Sequence, residues 1–197
     1  CGECVFERDG GFGMRRLINN IISCLHSLIR FLLLKVFHFS GLKFHLIERF
    51  SPNVVVEMGK NSSLILGKKV RVHSGSKIKV RKNAKLTLET GVKINYNCII
   101  ACHKEIKVGA GTQCGPSVYL YDHDHDYKAG LNANKFLMDS IEIGKNCWIG
   151  ANTVILRGTK IGDNCVVGAG CVLKGNFPAN SVIVQKRMTN VEAVQHV

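Results

Sequence analysis

The chain has 197 residues, enough for one domain with its own core and a small appendage. A hydrophobic share of 46% excludes wholesale disorder, and 20 Gly against 3 Pro suit many tight corners around small aliphatic side chains. The net charge of +13 favours anionic partners such as phosphorylated cofactors or acidic lipid headgroups. Twelve Lys/Arg fall between Lys60 and Lys107, against only Glu89 and Glu105; a merely solvated face is the plain alternative. No nucleic acid is expected as partner, because the cations are barely interleaved with aromatics and no nucleic-acid motif is present.

Residues 1–13 read as a possible upstream extension, since Met14 and Arg15-Arg16 precede a long apolar stretch. Cys1 and Cys4 form a CxxC with no second pair, so no metal is expected there. The segment 14–50 reads as an N-terminal amphipathic helical segment. Leu17, Ile18, Ile21, Ile22, Leu25, Leu28, Ile29, Leu32, Leu33 and Val36 have helical spacing, and Asn19, Asn20, Ser23, His26, Ser27 and Arg30 fill the other face. Arg30 and Lys35 interrupt a transmembrane pattern. Two readings remain: a helix packed on the body or a neighbouring subunit, or a peripheral membrane contact through 14–37.

From about Ser51 the pattern changes to short strands with Gly, Asn and Lys at corners. Ile143, Ile149, Ile155, Ile161, Val167 and Leu173 recur every six residues. Gly follows at 144, 150, 162 and 168, and Asn stands three after the aliphatic at Asn146, Asn152, Asn164 and Asn176. Cys147, Thr153, Thr159, Cys165 and Cys171 share one further position. An α-helix repeats near 3.6 and a strand at 2. Period six implies a coil whose flat sides are one short strand long, about eighteen residues per turn, paired with the turns above and below. The same register appears at Leu66, Val72 and Ile78, at Leu88, Ile94 and Ile100, and at Val108, Cys114 and Leu120. Two-residue phase steps (Ile78–Val80, Leu86–Leu88, Ile106–Val108, Ile141–Ile143) mark sides longer than six. The cysteines inside the repeat, Cys98 and Cys114 included, fit buried reduced thiols of a cytoplasmic protein. One segment, 122–140, breaks the pattern; it is rich in His and Asp and reads as a loop projecting from the coil, where function usually sits.

The repeats resemble the hexapeptide-repeat acyltransferase superfamily, closest to maltose- and galactoside-type and polysaccharide O-acetyltransferases. The likeness covers 51–184 and rests on four blocks in order: Ile94-Asn95-Tyr96-Asn97-Cys98, Ile106-Lys107-Val108-Gly109, Tyr121-Asp122-His123-Asp124-His125, and Ile143-Gly144-Lys145-Asn146-Cys147-Trp148-Ile149-Gly150. The resemblance implies an all-β fold, a left-handed parallel β-helix with the N-terminal helix, a protruding active-site loop and a C-terminal tail at 185–197. It implies an acetyl-CoA-dependent O-acetyltransferase acting on a hydroxyl of a sugar or glycan acceptor, as in polysaccharide biosynthesis. The family pattern places the catalytic base at His125, with His123 as competitor and Asn95 nearby. An imidazole titrating near neutrality can take a hydroxyl proton as the oxygen attacks the thioester. Asp122, Asp124, Tyr127 and Trp148 are the implied substrate contacts. A homotrimer is implied, with acetyl-CoA in grooves between copies, along Gly150, Ala151, Gly168, Ala169 and Gly170, and its phosphates near Lys174 and Arg187. The chain departs from the family pattern at Gln185–Thr189, where relatives carry a Gly-x-Pro-Ala-Lys/Arg run.

Two readings from other classes stand beside this one. A zinc hydrase of the γ-carbonic-anhydrase type needs about three placed His ligands, and that family separates two of them by four residues, whereas His123 and His125 have one between. A non-catalytic β-helix scaffold has no need of the His/Asp loop.

Overall fold

The computed structural model describes residues 10–129 and 135–186. One helix, α1 (Gly10–Phe37), is followed by short strands wound as a parallel coil with three flat faces. Face A stacks Leu42–Lys43, Ser63–Leu66, Lys85–Leu88, Glu105–Val108, Ile141–Ile143, Lys160–Ile161 and Asn176–Phe177. Face B stacks Arg49–Phe50, Arg71–Val72, Lys93–Ile94, Gln113–Cys114, Trp148–Ile149, Val166–Val167 and Val182–Ile183. Face C stacks Val55–Met58, Lys77–Val80, Ile99–Cys102, Tyr119–Tyr121, Val154–Leu156 and Val172–Leu173. This is the left-handed parallel β-helix, about six turns long.

The period-six aliphatics form the interior. Ile143, Ile149, Ile155, Ile161, Val167 and Leu173 are each at most 2% exposed, and each such burial stabilises by about 1.5–3 kcal/mol before entropy is counted. The Thr/Cys position is buried beside them, and its small polar group bridges turns. Thr112 Oγ1 donates to the Gly144 carbonyl at 2.8 Å, and Cys147 Sγ to the Gly162 carbonyl at 3.1 Å. Where the position is Thr or Cys, the side chain meets a buried carbonyl; Val92, stacked under Thr112, and Val70 and Val118 fill the same position with apolar side chains alone. These thiols are free, as the repeat pattern requires; Cys1 and Cys4 lie outside the described residues.

The phase steps are long sides. Leu86 and Leu88 both point inward and pair with Leu64 and Leu66 on one turn and Ile106 and Val108 on the next. From Val55–Met58 to Glu105–Val108 every strand on faces A and C therefore has four residues; from Tyr119 onward the strands have two or three. At the corners Asn97, Asn146, Asn152 and Asn164 adopt φ of 54° to 56°, a region that asparagine tolerates. The amides of Asn146, Asn164 and Asn180 run as a hydrogen-bonded chain at 3.4 and 3.1 Å. Asn176 differs from the expected pattern. It stands in a face A strand, and the corner passes to Gly175 with φ 114°, because the last C-to-A corner is short.

The upstream part also differs from the sequence reading. Helix α1 begins at Gly10, inside the stretch set aside as an extension, and the coil begins at Leu42, ahead of Ser51. The helix caps the open end of the coil. Ser27 exchanges hydrogen bonds with the backbone of Phe50 at 2.8 and 3.2 Å, and Phe31 is fully buried against the rings of Phe50 and Phe44. The side facing the coil is Asn20, Ser23, Ser27 and Phe31, so over its first half the polar side faces in and the apolar side faces out.

Candidate active site

The segment that breaks the repeat leaves the coil at the C–A edge as an antiparallel hairpin, His123–His125 against Phe136–Met138. Its base is fixed to the turns on either side. Asp139 N–H donates to the Asp122 carbonyl at 2.9 Å. Lys104 Nζ reaches Asp139 at 3.1 Å from the turn before, and Arg157 Nε reaches Asp124 at 2.6 Å from the turn after.

Asp122 is the electrostatic centre of this base. It is fully buried, and its two carboxylate oxygens accept the backbone N–H groups of His103 and Lys104, each at 2.7 Å. Burial opposes its ionisation, but the hydrogen bonds from His123 and these N–H groups prevail, and the carboxyl lies below its ordinary value. His123 Nδ1 stands 3.4 Å from Asp122 Oδ1. Alternate strand residues share a face, so His123 and His125 point the same way. Phe136 lies between them, its ring 5.5 Å from His123 and 4.8 Å from His125.

A third histidine completes the cluster. His103, from the preceding turn, stacks on His123 with ring centroids 3.5 Å apart and touches Phe136 at 4.7 Å. Burial, then the neighbouring His123, push its pKa down to about 4, so it is neutral near pH 7. His103 and Phe136 are the members that spacing did not reveal. His103 directly follows Cys102, one turn from Asp122, a relation that appears only once face C is put in register.

The cluster offers a buried carboxylate, an imidazole beside it and an apolar wall, the elements of an oriented general base. His125 is more exposed and packs on Phe136, away from the carboxylate. Asp124 is taken up by Arg157. Tyr127 sits on the short turn Tyr127–Ala129 beyond the hairpin strand and is 71% exposed. Among the described residues no group of three His, Cys, Asp or Glu side chains is arranged to hold a metal ion.

The remaining expected site residues lie elsewhere on the coil. Asn95 follows the face B strand Lys93–Ile94 and so stands on the B–C edge, where its Oδ1 accepts the Tyr96 N–H at 2.9 Å. Within one chain it does not meet the histidines on the C–A edge. Gly150, Ala151 and Gly168–Gly170 continue the same B–C edge downstream. A Cβ on Gly150 would stand 2.5 Å from Ala169 N, so the stacking of turns alone already demands glycine there. Trp148 points outward from face B and is half exposed, with Val166 beside it in the next turn. Lys174 stands at the far end of face C, on the hairpin's edge, one turn beyond Leu156. Arg187 lies outside the described residues.

The family model described as bacterial transferase hexapeptide (six repeats) matches residues 140–175. That segment is similar to the hexapeptide repeat of these transferases. It is 42% identical over 64 residues to nodulation protein L of Rhizobium leguminosarum bv. viciae, covering 30% of this chain and 32% of that protein. It is 36% identical over 62 residues to nodulation protein L of Rhizobium meliloti (strain 1021), 29% of this chain and 32% of that one. The match thus spans about a third of the length of these curated relatives. Among solved structures, it is similar to a maltose O-acetyltransferase from Clostridium difficile 630 with 26% identity and a TM-score of 0.47, covering 71% of this chain and 72% of that one.

Proposed function

We propose that this protein is an acetyl-CoA-dependent O-acetyltransferase that acetylates a hydroxyl of a sugar or glycan. The observation that carries the reading is the base of the hairpin, where a buried, ionised Asp122 stands against an imidazole on a polar projection of a transferase coil. The geometry favours His123 over His125 as the base, although register on the family pattern favours His125. With Nδ1–H directed at Asp122, Nε2 of His123 is left as the acceptor. It takes the hydroxyl proton as the oxygen attacks the thioester carbonyl. When the tetrahedral intermediate collapses, the C–S bond breaks and the imidazolium returns the proton to the CoA sulfur. Asp122 stabilises the imidazolium between these steps. Neutral His103 stacks on the ring and fixes its plane.

The split of the expected residues between two edges supports a site shared by copies. Asn95 and the small residues 150–151 and 168–170 lie on the B–C edge, and the hairpin and Lys174 lie on the C–A edge. A homotrimer that sets one copy's B–C edge against another's C–A edge unites them. Trp148, Val166 and Val182 are exposed in succession along face B and supply the apolar contact such an assembly needs. Trp148→Ala with Val166→Ser is expected to shift the mass seen by light scattering towards the single chain.

The test of the reading is calorimetric titration with acetyl-CoA, followed by thermal-shift screening of free, nucleotide-linked and lipid-linked sugars on the acetyl-CoA complex. Acetyl-CoA binding with a further stabilisation by one sugar class is expected. No heat of binding with acetyl-CoA would overturn it and leave the scaffold reading.

A further inference from the structure

Helix α1 is mounted with its apolar side outward. Leu17, Ile21, Leu25, Ile29, Leu32 and Val36 follow one another at three- and four-residue spacing, and each is more than half exposed. Phe37 at the helix end, Phe39 just after it, and Leu46 and Ile47 on the first corner of the coil are also 60% to 82% exposed. An exposed apolar stripe along the whole helix marks a contact.

By length and composition, Leu17–Phe37 could cross a membrane. Its attachment to the coil says otherwise. Ser27 and Phe31, in the middle of that stretch, are buried in the first turn, and Arg30 donates to the Pro52 carbonyl at 2.6 Å. A helix fixed at its middle along the end of a coil lies in a plane with one side free. That is the posture of an interfacial helix, apolar side down and polar side towards water.

The charge around the patch identifies what covers it. Between Met14 and Val56 the only acidic residue is Glu48. It is 1% exposed, and burial raises its pKa to about 7. Lys35 lies on the helix with its Nζ 5.2 Å from the centre of the Phe39 ring, and Lys43 and Arg49 follow on the first strands of the coil. Under the polar side of α1 lies a groove of about 700 Å³, lined among others by Asn20, Ser23, Arg49, Arg71, His73 and Tyr96. Arg49, on the turn that the helix caps, and Arg71, one turn further, give this groove a positive lining. A second copy on the same patch would bring these cations against one another.

We infer that α1 and its cationic border dock the protein on an anionic phospholipid bilayer, with the helix in the plane of the interface and headgroup phosphates in the groove beneath it. This inference is independent of acetyl transfer.

The test is co-sedimentation of the full chain with phosphatidylcholine vesicles, with and without phosphatidylglycerol, at low and high salt. Strong binding to the phosphatidylglycerol vesicles is expected, falling at least about tenfold on phosphatidylcholine alone and weakening with salt. The double variant Leu25→Glu, Ile29→Glu is expected to lose at least about tenfold in binding to the anionic vesicles, because each glutamate replaces outward apolar area with a like charge. Both side chains point away from the coil, and unchanged circular dichroism and melting temperature are expected to show that the variant folds. The single variant Leu25→Ser, with a smaller expected loss, serves if it does not. Binding that is absent in the parent chain, or equal in the folded variants, overturns the inference. So does a lipid-free oligomer that the Leu25→Glu, Ile29→Glu variant splits, since the patch is then a contact between copies.

Discussion

The cap under α1 and the base of the hairpin each hold one buried carboxylate, and the two are held in opposite ways. Asp122 accepts two backbone N–H groups at 2.7 Å and lies beside His123; its carboxyl sits below the ordinary value. Glu48 accepts the His45 N–H at 3.1 Å through Oε1, while Oε2 is buried without a partner, and burial raises its pKa to about 7. Depth is nearly the same, 0% against 1% exposed. Both carboxyls are opposed by burial and helped by backbone N–H groups; what Asp122 has in addition is the side chain of His123 and a donor on each oxygen, while Glu48 keeps one oxygen without a partner. The first arrangement suits a site that must stabilise an imidazolium. The second weakens the negative charge at the end of the molecule that carries Lys35, Lys43 and Arg49.

Several substitutions and a change of pH probe this contrast. The largest effect is expected from Asp122→Ala, which leaves two buried N–H groups unpaired at about 1–3 kcal/mol each and frees the His123 ring. Chemical denaturation is expected to show the loss of stability, and the turnover of acetyl-CoA a loss beyond what unfolding explains. Glu48→Gln keeps the shape and removes the titration, so at neutral pH and above it is expected to be neutral or stabilising. A loss as large as that of Asp122→Ala would show that Glu48 is ionised and paired, and the contrast would fail.

The pH dependence separates the two regions. Folded Glu48 binds its proton more tightly than the ordinary value of 4.5, so its contribution is full below that value and is lost as pH rises through about 7. His103 shifts the other way, from 6.5 to about 4; its contribution is full above 6.5 and is lost as pH falls towards 4. Asp122, lowered, also loses its contribution in acid. Hydrogen exchange, corrected for intrinsic rates, is expected to show weaker protection of the cap at about pH 8 and of the hairpin base at about pH 5. Parallel slopes in both regions would contradict the assignment. The smallest effect is expected from Lys104→Ala, which breaks a half-exposed, solvent-screened ion pair with Asp139; a marked fall in melting temperature would mean that this pair holds the hairpin.

The coil was legible because its information is one-dimensional. Each inward position repeats, so Ile143 to Leu173 announce the interior, and Leu86-Thr87-Leu88 announces a long side because two inward residues at strand spacing cannot fit a short one. The hairpin was legible only as a break. Its pairing depends on Phe136 meeting His125, and no periodicity places one opposite the other. His103 was hidden because it joins the site through the stack of turns. The mounting of α1 was misleading for a physical reason. An apolar stripe on a helix is ordinarily its buried side, and here Ser27 and Asn20 take that side because the open end of the coil presents backbone groups to be capped. The period-six glycines were informative about the fold and silent about the cofactor, since the close approach of Gly150 to Ala169 demands glycine with or without a ligand.

The central claim is that the pair Asp122–His123 deprotonates the acceptor. It is tested most directly by the rate of acceptor-dependent thiol release from acetyl-CoA in the parent chain, in His123→Ala and in His125→Ala. The account predicts a fall of about 10²–10⁴-fold in kcat for His123→Ala, with His125→Ala retaining most of the rate. Full activity in His123→Ala, or its loss only in His125→Ala, would contradict it.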